Sequence, residues 1–151
     1  MGFFNKKTNS AGFIRGLRTL IISALLPMME RYPELEGVVN KSGGTSNWDF
    51  FMTVAGVGWY IYTRKPNEKV FKEVAREMAT VDEDMTAALS NYLDFMLSNS
   101  KLEIQPTNTA GMWVLWNMLG ESPEHADSAK LAPAIGTYLS NVIDDLENEY
   151  L

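Results

Sequence analysis

The chain has 151 residues, a net charge of −6, no cysteine and one histidine, His125. The missing cysteines exclude disulfides, thiolate chemistry and Cys-based metal sites, and one histidine cannot supply the His pairs of a zincin or a di-iron bundle. An excess of 19 acids over 13 cations argues against nucleic-acid binding, and a 46% hydrophobic share in a chain of this length suffices for one well-buried domain, residues 1–151.

Residues 1–10 carry Phe3, Phe4, Lys6 and Lys7 and are expected to form a loosely ordered basic segment. Ile14, Leu17, Ile21, Leu25, Met28 and Tyr32 then recur at three- and four-residue steps, which predicts a helix from about Ala11 to Tyr32. Pro27 removes a backbone donor, so a kink or break is expected one turn earlier. The apolar run from Leu20 to Met29 follows several cations but lacks a small-x-small cleavage site, and it is too short to cross a bilayer. Cytoplasmic residence is the default expectation.

The stretch 33–47 is polar, contains Gly37, Gly43 and Gly44, and is read as a long loop. Lys41-Ser42-Gly43-Gly44-Thr45-Ser46 lacks the residue order of a P-loop and is weak as an anion cradle. From Trp48 to Arg64 the chain is apolar on nearly every face, the mark of a buried helix, so this segment is placed at the centre of the fold. Ser46-x-x-Asp49 suggests a capping box at its start.

Pro66-Asn67 starts a third helix, with Val70, Phe71, Val74, Ala75 and Met78 facing inward. Thr80-x-x-Glu83 suggests another capping box, and the acids Asp82, Glu83 and Asp84 suit the positive end of the helix that follows. That helix runs to about Leu97 on the stripe Met85, Leu89, Tyr92 and Met96. After Pro106, Thr107 or Thr109 is expected to cap a helix carrying Met112, Trp113 and Trp116, closed by Gly120. A short turn is predicted at Ser122-Pro123-Glu124. Pro133 argues for a break, so a separate last helix is expected from about Leu131. The fold expected is all-α, an irregular bundle of five to six helices around the segment 48–64.

His125 lies among Glu121, Glu124 and Asp127, too few convergent ligands for a metal, and neither a metal nor a cofactor is expected. No catalytic constellation can be read, so an enzyme is the weaker expectation. Trp59, Met112, Trp113 and Trp116 are the candidate binding residues, as an adaptable surface for a protein partner or as the wall of an apolar pocket.

Charge is segregated: residues 1–18 contain Lys6, Lys7, Arg15 and Arg18 and no acid, whereas residues 121–151 contain seven acids, among them Asp144, Asp145, Glu147 and Glu149, against Lys130 alone. Both groups oppose their helix dipoles, which suggests that the two ends meet and pair, within one chain or across a homodimer. The function expected is a non-enzymatic, self-associating interaction module. The alternatives are a small-molecule carrier with a pocket lined by Trp59, Trp113 and Trp116, a carboxylate-based hydrolase, and attachment to a membrane surface through the aromatic and basic N-terminal residues.

Overall fold

The computed structural model describes residues 8–41, 44–101, 104–119 and 126–151, the side chains of 126–129 excepted. Seven helices account for these residues: α1 Ser10–Arg31, α2 Glu34–Lys41, α3 Thr45–Arg64, α4 Glu68–Val81, α5 Met85–Ser98, α6 Pro106–Leu119 and α7 Ala126–Tyr150. No strand occurs among the described residues. The all-α bundle is therefore as the periodicity predicts, with one or two more helices than expected.

α3 is the axis of the bundle. Every residue from Met52 to Ile61 is buried, and α3 touches all six other helices. Such a helix can have no polar face, which is why its sequence shows none. Trp48, near its start, is buried and donates its indole N–H to the Ile21 carbonyl at 3.2 Å.

α1 and α7 run antiparallel. The Asn9 N–H donates to the Tyr150 carbonyl at 2.8 Å at one end, and the Tyr138 hydroxyl donates to the Leu20 carbonyl at 2.7 Å further along. Gly12 and Gly16 admit the Tyr150 ring and Leu146 side chain to the α1 backbone. α1 is long and apolar enough to cross a membrane by length and composition, a reach that Leu20–Met29 alone lacks. Here it buries Phe13, Leu17 and Ile21 completely against the other helices and leaves Ile22 and Leu26 exposed.

α6 and α7 make the most intimate pair. Gly111 of α6 faces the Ala132 carbonyl of α7, and Gly136 of α7 faces the Thr107 carbonyl of α6, so backbone meets backbone at two points one turn apart. Leu131, Ile135, Leu139, Ile143 and Leu146 make the buried stripe of α7.

Several local expectations are corrected. The presumed loop 33–47 contains α2, an eight-residue helix held by Leu35 and Val39, one turn apart and both buried. Two anchors on one face suffice once a core is there to receive them. Pro27 does not end α1: the Ser23 carbonyl it orphans belongs to an exposed residue, where water is at hand to replace the lost donor. Pro133 does not divide the last helix either, because α7 is pinned by buried Leu131 and Ile135 on both sides of it. The predicted turn at Ser122-Pro123-Glu124 and the closing Gly120 lie outside the described residues.

The capping boxes also fail. Gly44, at φ 111°, caps α3 without a side-chain hydrogen bond, and Asp49 turns to other partners. α4 continues to Val81, so Thr80 is still helical and its hydroxyl donates to the Glu77 carbonyl. Asp82 instead accepts the Asp84 N–H at 2.9 Å, a local turn that opens α5. Pro106 occupies the first position of α6, where its missing N–H costs nothing, and the Thr109 hydroxyl leans back on the Gln105 carbonyl rather than capping. The expected start at Asn67 is correct, since its side chain accepts the Val70 N–H at 3.0 Å.

Candidate functional site

An open groove of about 500 Å³ runs between α5 and α6, lined by Asn91, Phe95, Trp113, Trp116 and Asn117. α5 contributes Asn91 and Phe95, one helical turn apart, so both lie on the same face. α6 contributes Trp113 and Trp116, three residues apart, and Asn117 beside them.

The two tryptophans have different tasks. Trp113 is 1% exposed and packs edge-on against Tyr92 and Phe51, at centroid distances of 5.1 and 5.8 Å. Its indole N–H donates to Asn91 Oδ1 at 2.9 Å, and its carbonyl accepts the Asn117 side-chain N–H at 2.8 Å. The floor of the groove is therefore fixed by two amides as well as by packing. Trp116 is 37% exposed and stands edge-on to Phe95 at 5.8 Å. These two rings form a partly solvated aromatic ledge above a rigid floor.

Of the residues singled out in the sequence, Trp113 and Trp116 share this groove. Met112 is half-buried and packs against the core. Trp59 is buried on α3 and does not line the groove, so the three tryptophans do not share one pocket there. Its indole N–H has no partner among the described residues. Asn91, Phe95 and Asn117 were missed. The available signal was the absence of charge: the 14 residues of α5 carry one charged side chain, Asp94, and the 14 of α6 carry none.

The ends of the chain do approach each other, through Asn9 and Tyr150, but the expected pairing between α1 cations and α7 acids does not form among the described residues. Arg18 instead binds Asp49 of α3 at 2.9 Å, and Asp49 also accepts the Thr53 hydroxyl. Arg15 is exposed on the outer face of α1. The acids Asp144 and Glu147 are both taken by Arg64 at the end of α3, Glu147 at 3.2 Å. Burial opposes the charge on Arg64, but its hydrogen bonds to Glu147 and Asp144 outweigh that and raise its pKa. Nearby, burial and the Glu147 charge raise the Tyr60 pKa against the opposing pull of Arg64. Asp145 and Glu149 are exposed, and Lys6 and Lys7 lie outside the described residues.

The reason for this exchange of partners is geometric. α3 ends beside the last turns of α7, which brings a fork-shaped guanidinium to two carboxylates three residues apart on one helix face. His125, Glu121 and Glu124 lie outside the described residues. Among the described residues no group of three or more His, Cys, Asp or Glu converges in a way that could hold a metal ion. Comparison with family models, curated proteins and solved structures gives no match to this chain.

Proposed function

We propose that this protein is a non-enzymatic interaction module that binds a second copy of itself through the α5–α6 face, with Trp116 and Phe95 of each copy at the centre of the contact. The observation that carries the reading is the charge poverty of that face. In a chain of net charge −6, two neighbouring helices of 14 residues each hold one charged side chain, Asp94. Depletion of charge with exposed aromatic residues is the compositional mark of an interface core.

The same fact favours a like partner. Two acidic molecules repel one another over most of their surface, and they approach most cheaply where the surface is neutral. Both amides that line the groove are engaged by Trp113, and no charged group lines it among the described residues, so a small molecule finds little there to orient it. The charge-rich ends, with Asp145 and Glu149 exposed, lie on other elements and orient the approach rather than hold it.

Sedimentation velocity and light scattering across a concentration series from micromolar to near-millimolar test this reading. A reversible dimer is expected, with an interface above ~1,000 Å². Trp116→Asp shifts it to monomer, whereas Leu26→Asp, on the exposed face of α1, leaves it dimeric. A parent chain that stays monomeric throughout overturns the proposal, as does a dimer indifferent to Trp116→Asp.

A further inference from the structure

A second groove, sharing no residue with the first, opens between the last turn of α1 and the first half of α7. Its volume is about 450 Å³, within the range of small-molecule sites. Arg31 enters from α1 and Lys130 from α7, and no acidic residue lines it among the described residues. This is unexpected in a chain where acids outnumber cations 19 to 13. Neither cation makes an ion pair among the described residues, unlike Arg18, Arg64 and Lys72, each of which meets a carboxylate. Arg31 sits 5.8 Å above the Tyr32 ring, which steadies its guanidinium without using up its N–H donors.

The remaining lining sorts into two kinds. Thr137 and Asn141 stand one turn apart on α7 and offer a hydroxyl and an amide on the groove side. Met28 and Pro133 supply an apolar wall. The Tyr138 hydroxyl, also at the groove, is already committed to the Leu20 carbonyl. The groove lies at the end of the antiparallel pair where each helix carries an internal proline, Pro27 and Pro133.

We infer that this groove binds a phosphate monoester, with Arg31 and Lys130 holding the phosphate and the Met28–Pro133 wall receiving part of the organic body. Two cations on one groove, neither of them ion-paired among the described residues, are eased by an arriving anion. A carboxylate has two oxygens and one charge, which the guanidinium fork alone satisfies. A phosphate monoester has three terminal oxygens and up to two negative charges, which match a guanidinium, an ammonium and the neutral donors Thr137 and Asn141. The groove is also larger than a bare phosphate fills, so an attached body is accommodated. Because the two grooves are separate, this inference stands whether or not the protein dimerises through α5 and α6.

The ester could be free in solution or be the headgroup of a lipid. Two assays on the full chain at low ionic strength separate these sources: calorimetric titration with phenyl phosphate, and co-sedimentation with phosphatidylcholine vesicles with and without phosphatidic acid. Saturable binding of phenyl phosphate, weakened at least tenfold by Arg31→Gln and by Lys130→Gln but not by Arg15→Gln, supports a soluble ligand. Co-sedimentation that needs phosphatidic acid and fails in the same two variants supports a headgroup. All three substitutions fall on exposed side chains, and thermal melts by circular dichroism confirm that each variant is folded. No saturable binding in either assay overturns the inference. So does binding that Arg15→Gln weakens as much as Arg31→Gln, which would mark general attraction to cations.

Discussion

Replacing Gly111 by alanine adds one methyl group at the place where α6 and α7 have no room for it. The added carbon would run into the Ala132 carbonyl, which is backbone of a packed helix and cannot rotate aside. Relief requires the two helix backbones to separate, loosening the reciprocal contact of Gly136 with the Thr107 carbonyl and the burial of Trp113, Val114 and Ile135 around it. Overpacking of this kind costs about 1–3 kcal/mol and occasionally more, and rigid backbone on both sides puts this site at the upper end. Alanine returns up to ~1 kcal/mol through helix propensity. The net expectation is a loss of about 2 kcal/mol, read as a fall of roughly 4–8 °C in Tm and about 1 M in the urea midpoint. Gly37→Ala is the matched control: it is also helical, on the exposed side of α2, and a methyl there meets nothing within 4 Å. That variant should gain about 0.4–1 kcal/mol. If the two substitutions shift the urea midpoint in the same direction, the close approach of α6 and α7 does not control stability and the reasoning is refuted.

Two further predictions concern buried polar groups. The Tyr92 hydroxyl is fully buried with no hydrogen-bond partner among the described residues, so Tyr92→Phe should stabilise the fold at neutral pH by about 1 kcal/mol, measured by urea unfolding. Burial raises the Tyr92 pKa above its ordinary value of 10.0, so the unfolded chain ionises first. Its contribution is thus constant below pH ~10 and lost above it, by about 1.4 kcal/mol per further pH unit. Tyr92→Phe should therefore lose less stability than the parent between pH 9 and 11, and parallel curves would disprove the assignment. Asn91→Ala leaves the Trp113 indole N–H unanswered at the floor of the groove and should cost about 1–3 kcal/mol. The same unfolding assay, followed by tryptophan fluorescence, reads it, and an unchanged midpoint would show that the amide does not hold the ring.

The helical class and the central position of residues 48–64 follow from the sequence itself. A segment apolar on every face has to be surrounded, and the stripes of α4, α5 and α7 declare which sides turn inward. Trp113 and Trp116 could also be singled out, because large aromatic residues at helical spacing either fill a core or form a surface. Which of the two each does depends on what α5 brings opposite, and here one ring is buried and the other half-open. The sequence alone likewise settles the absence of thiol chemistry, since no fold can supply a side chain the chain lacks.

Tertiary structure decided the rest. Polarity and glycine content hid α2, and local proline and capping rules misplaced the boundaries of α4 and α7, because a lost hydrogen bond or a cap is worth little beside a stripe of buried side chains. It also decided the charges. Segregation along the chain is visible in one dimension, but Arg18, Asp144 and Glu147 each found a partner on α3, through contacts spanning 31 to 83 positions. The groove that Arg31 and Lys130 line has the same origin: two residues about a hundred positions apart come to share one groove only because α1 and α7 lie antiparallel.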